Sequence, residues 1–124
     1  MAYLLLIHEP RGQRAERSDE EGRRVYASML AFAEGLAKRG LLVAAESLRD
    51  DQSAVRVSIR AGQPTLIDGP FTETKEMIGG FFLLDVGSRQ EAIEIARQCP
   101  AAQFATVEVR ELAPCHESSA EIPQ

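Results

Sequence analysis

A chain of 124 residues and 13.6 kDa has room for one domain, and its 44% hydrophobic and 27% charged residues are those of an ordinary soluble globular protein. Nineteen acids against fourteen bases leave a net charge of −5. That balance argues against direct binding to nucleic acid, which needs surplus Lys and Arg, and against anionic membrane surfaces.

Tyr3 to Ile7 is an unbroken apolar run of strand length, too short for a membrane span or a signal-peptide core. Arg11 to Arg17 is polar and reads as a loop. Ser18 with Glu21 forms a capping-box signature, and Val25, Met29, Phe32, Ala33, Leu36 and Ala37 then repeat at helical spacing up to Gly40. Leu41 to Leu48 is a second strand, Arg49 to Ser53 a polar connection, and Ala54 to Arg60 a third strand. Ala61 to Pro64 makes a turn and Thr65 to Ile67 extends the hairpin. After the Asp68-Gly69-Pro70-Phe71 interruption, Thr72 to Met77 is expected to hold a helical turn or two. Gly79-Gly80 then breaks it and opens the strand Phe81 to Val86. Ser88 with Glu91 reads as a second capping box, ahead of a helix running to Cys99-Pro100. Phe104 to Leu112 alternates, with Ala105, Val107 and Val109 on one side and Thr106, Glu108 and Arg110 on the other. Residues 1–112 are expected to form one domain and 113–124 a tail.

The order β-α-β-β-α-β, interrupted near Asp68, predicts an α+β protein of the ferredoxin-like, split-βαβ type. In that topology the first strand and the one preceding the second helix lie at the centre of the sheet. Both are apolar on their two faces, while the helices cover only one, so a second copy packed sheet to sheet is the expected cover. The protein is therefore expected to be a homodimer through its sheet face. With no CxxC spacing, Cys99 and Cys115 read as reduced thiols in a cytoplasmic protein.

Asp68-Gly69-Pro70-Phe71 reads in two ways. As architecture it is a turn, with Gly free to take positive φ, Pro70 fixing the next residue and Phe71 reaching the core. As a site it lines a pocket, with Asp68 a base or ligand carboxylate, Lys75 a holder of anions, and Glu73 and Glu76 at the mouth. His8 ends the first strand, where it meets the loop into the first helix, and its side chain is suited to proton transfer near neutral pH. Tyr26 and Glu46 are further candidates, Glu46 because an acid interrupts an apolar strand. His8-Glu9 and Cys115-His116 lack the spacing that fixes a metal, and no phosphate loop or nucleophile elbow is present. No metal and no cofactor is expected.

The string from Asp68 to Glu76, followed by Gly79-Gly80-Phe81-Phe82 and Asp85-Val86, resembles the DGPF branch of the YCII-related family. Tyr3 to Ile7, Leu42-Val43-Ala44, Pro100-Ala101-Ala102 and Val107 to Arg110 fit the same pattern, so the resemblance covers most of the chain. It implies a dimeric α+β barrel, a role for most members not established, and a genomic association with alternative sigma factors. The wider family is described with a catalytic His–Asp pair. Registering this chain on Arg39-Gly40-Leu41-Leu42 puts Met29 at the histidine and Cys99 at the acid, so neither role carries over. Three functions are left: a dimer binding a small polar metabolite, a proton-transfer lyase or isomerase using His8 with Asp68 or Glu73, and a non-catalytic regulatory partner.

Overall fold

The two unbroken apolar runs lie side by side in the computed structural model, which describes residues 1–118. They belong to β1 (Ala2–Pro10) and β5 (Glu76–Asp85). With β2 (Leu42–Ser47) and β6 (Thr106–Glu111) they make a four-stranded antiparallel sheet of order β2-β5-β1-β6. β3 (Val55–Arg60) and β4 (Gln63–Asp68) pair only with each other. The helices are α1 (Gln13–Glu16), α2 (Asp19–Lys38) and α3 (Arg89–Gln98). This is an α+β architecture compatible with a ferredoxin-like fold, and its central strands are the expected two.

The longest helix forms for the reasons the sequence carries. Ser18 Oγ accepts from the Glu21 N–H at 3.1 Å, and the Glu21 carboxylate reaches back to the Ser18 N–H at 3.4 Å. At the other end Gly40 takes a φ of 72°, and the Gly40 and Leu41 amides close onto Ala37 and Leu36 in a Schellman turn. α3 starts on Ser88, which accepts from the Glu91 N–H. Glu91 completes the cap by accepting from the Gly87 N–H at 3.1 Å, one residue earlier than a capping box requires.

Both helices cover one face of the sheet. Tyr3, Leu5 and Ile7 alternate into that layer, together with Phe82, Leu84, Leu36, Ile95 and Cys99. Phe32 meets Phe82 edge to face at 5.3 Å, and Val107 and Val109 join from β6 as their alternation requires. On the other face Leu4 and Leu6 are only half-buried, and Ile78 is 45% exposed.

Three local expectations are corrected. The segment Arg11 to Arg17 is not all loop, since α1 occupies Gln13–Glu16. β1 runs to Pro10, so His8 lies inside the strand and not at its end. Thr72 to Met77 is not helical: Thr72 to Lys75 is turn and bend, and β5 already begins at Glu76. The longer β1 explains this, because Glu76 pairs with Pro10, and the Arg11 N–H donates to the Lys75 carbonyl at 2.9 Å.

Gly79-Gly80 therefore sits within β5. The β1–β5 register slips between Ile7 and His8, leaving Gly79 as the extra residue of a bulge. A Cβ at Gly79 would overlap the Glu9 carboxylate, and one at Gly80 would press on the Glu46 carbonyl. By contrast, a Cβ at Gly35 on α2 meets nothing within 4 Å. The same substitution thus has opposite signs at the two positions. Gly35→Ala raises stability by about 0.5–1 kcal/mol through helix propensity. Gly79→Ala lowers it by about 1–3 kcal/mol by dislodging a buried acid from its partner. Urea unfolding of both variants checks this.

Candidate functional site

Between the N-terminal half of α2 and the sheet lies a cleft of about 910 Å³. Its floor is apolar, from Ile7, Met29, Ala33, Phe82 and Phe104, and Tyr26 and Leu30 stand at its rim. One buried acid lies in its wall. Glu9 alternates into the helix-covered face of β1 and is 6% exposed. Its carboxylate receives Arg14 Nε at 2.9 Å and Nη2 at 2.5 Å, and Arg14 Nη2 also donates to the Leu48 carbonyl at 2.8 Å. α1 supplies that arginine, so the short helix missed in the sequence is what pairs the acid. Arg17 lies over the Phe104 ring at 4.7 Å and donates to Gln13 Oε1, while Gln13 donates to the Phe104 carbonyl.

A second cluster holds the base of the β3–β4 hairpin. Arg11, one residue beyond β1, makes a two-pronged pair with Asp51, Nη1 to Oδ1 at 2.8 Å and Nη2 to Oδ2 at 2.6 Å. Its Nε donates to the Thr74 carbonyl, and its Nη2 to Thr74 Oγ1. The Phe71 N–H donates to the same Asp51 carboxylate at 3.1 Å, and Phe71 is buried with the Arg56 guanidinium 3.7 Å above its ring. Arg56 in turn pairs with Glu73 at 3.1 Å. Gly69 is obligatory here, because a Cβ would collide with the Asp51 carbonyl. The Asp-Gly-Pro-Phe segment thus serves as the latch of the hairpin.

The remaining candidates are dispersed. Asp68 ends β4, exposed, and Lys75 and Glu76 face solvent where β5 begins. His8 and Asp68 sit in different sheets. The carboxylate that His8 meets is Glu108, with Nε2 to Oε1 at 2.5 Å, on the sheet face away from the helices. That contact and Arg110 hold the Glu108 carboxyl below its ordinary range. Glu46 pairs across from Phe81, and Tyr26 reaches the cleft from α2. Met29 lines the cleft, whereas Cys99 is 1% exposed in the core, where burial pushes its thiol up. Among the described residues, no three His, Cys, Asp or Glu side chains stand close enough to hold a metal ion.

The hydrogen bonds from Arg11, with help from the Phe71 amide, hold the Asp51 carboxyl at about 2, against an ordinary 3.8. A depressed folded-state value stabilises fully above the ordinary carboxylate range and is lost as pH falls toward 2. The thermal midpoint is expected to drop between about pH 5 and pH 2, and Asp51→Asn to lower it at neutral pH while flattening that part of the profile. Calorimetry across this window is the check.

Comparison with known proteins matches residues 1–116 to the YCII-related domain. A curated relative, an uncharacterised protein of Rhizobium meliloti (strain 1021), is 34% identical over 115 residues, covering 91% of this chain and 93% of the relative. The latched Asp-Gly-Pro-Phe segment and the sheet that carries it are thus those of a member of the YCII-related family.

Proposed function

We propose that the chain is a small-molecule-binding protein of the YCII-related family, on its DGPF branch, that works as a homodimer in the cytoplasm. The observation that carries the binding reading is the cleft under α2: a partly open, mostly apolar cavity with one buried, ion-paired acid in its wall. Met29, which the resemblance puts in place of the family's histidine, lines this cleft, which favours binding over proton transfer there.

The dimer reading is supported by apolar surface that one copy leaves in water. Leu4, Leu6 and Ile78 share the uncovered sheet face, and Val57, Ile59 and Leu66 on the hairpin are each more than 60% exposed. An isolated two-stranded hairpin with such a stripe is poorly stable unless something packs on it. Dimers built on the sheet face would enclose His8 and Glu108. That pair favours a second reading, proton transfer in a lyase or isomerase, with Glu108 in the place expected of Asp68 or Glu73.

Gly22 offers a clean test of the cleft. It lies on α2, lines the cavity, and a Cβ there meets nothing within 4 Å. Gly22→Leu is expected to fill the cleft while keeping the melting temperature. In a thermal-shift screen against polar metabolites, hits should stabilise the parent by about 2.7 kcal/mol at a hundred times their Kd and leave Gly22→Leu unmoved. Hits that persist in Gly22→Leu place binding elsewhere, and hits lost only in His8→Ala favour the proton-transfer reading. For the dimer, light scattering should give twice 13.6 kDa, and Ile78→Glu should lower that mass toward one chain. A parent that runs at one chain's mass overturns the dimer.

A further inference from the structure

The charges around the cleft say what kind of small molecule it takes, given that the cleft is the binding site. Its one buried acid is fully engaged, because Glu9 accepts two hydrogen bonds from Arg14. Glu46 borders the cavity, but its strand position shares the face of Phe81, and the neighbouring Phe82 packs into the core under α2. Among the described residues, two arginines at the cleft have no carboxylate partner. Arg17 lies over the Phe104 ring, and its guanidinium donates to the neutral Gln13. Among the described residues Arg23 makes neither an ion pair nor a side-chain hydrogen bond, although the adjacent Arg24 takes Glu20 at 3.5 Å. Both arginines border the same cavity, so their charges face whatever enters it.

Beside them, Tyr26 and Leu30 are 55% and 46% exposed at the mouth, and the floor beneath is apolar. An arginine held by an aromatic ring keeps its fork oriented for a planar oxyanion, and the apolar floor calls for a hydrocarbon or aromatic body. Asp19, also at the rim, disfavours a second negative charge. From this arrangement we infer that the cleft binds an amphipathic monocarboxylate, its carboxylate at Arg17 and Arg23 and its apolar body over Met29 and Phe82.

The test uses 3-phenylpropanoate, 3-phenylpropan-1-ol and 3-phenylpropylammonium as probes, with binding followed by calorimetry. The carboxylate is expected to bind at least tenfold tighter than the alcohol, and the ammonium not at all. Arg17→Gln and Arg23→Gln should each remove most of the preference for the carboxylate while leaving the alcohol's affinity unchanged, and Arg17→Lys should keep part of it. A structural role alone would weaken the two probes equally. Equal affinity for acid and alcohol, both lost in Gly22→Leu, overturns the anion assignment and leaves the cleft as the site. No binding by any probe at millimolar concentration overturns both.

Discussion

The buried pair between Glu9 and Arg14 is the contact on which the rest of the site depends. A carboxylate taken out of water is costly unless it is paired, and here one side chain from α1 supplies the partner while also reaching the end of β2. The pair needs space that an ordinary strand does not have. β5 makes that space with a bulge at a residue lacking a side chain, so Gly79 and Glu9 are two halves of one feature. The cost of burying the charge is met by fixing three elements at one point in the wall of the cleft.

The second clamp does similar work farther along. Arg11 and Asp51 join the end of β1 to the turn before β3, and Phe71 and Thr74 bring in the segment after β4. Arg11 reaches both the carbonyl and the hydroxyl of Thr74, and Asp51 also takes the Phe71 amide. The Asp-Gly-Pro-Phe string, the most recognisable stretch of the chain, is accounted for by the geometry of a latch: a close approach at Gly69 and a buried ring at Phe71.

What could be read in advance was local. The helix from Ser18 follows from its cap and its spacing, and the inward set on β6 follows from alternation over a few residues. The central placement of β1 and β5 follows from apolar residues on both their faces. What could not be read depends on partners far along the chain. His8 meets Glu108 at a separation of 100 residues, and Arg11 meets Asp51 at 40. The expected helical turn after Phe71 failed because the real competitor was the strand edge of β1, which no window around Thr72 contains. Glu9 was visible only as the neighbour of His8. The signal that would have singled it out is the alternation itself, since Tyr3, Leu5 and Ile7 put position 9 on the covered face.

The hairpin turn carries one more implication, for how this surface can vary among relatives. Ala61 and Gly62 both take positive φ and join Arg60 directly to Gln63, so the loop is as short as a hairpin allows. Its length sets which residues of β4 lie opposite Val55, Val57 and Ile59. Because side chains alternate with a period of two, a single inserted or deleted residue would turn Leu66 to the opposite side and split the apolar stripe in half. Exchanges of one residue for another leave that phase intact. The segment can therefore drift widely in composition over evolutionary time while its length stays fixed, and a gap in an alignment at this turn would mark a relative whose outer surface meets a different neighbour.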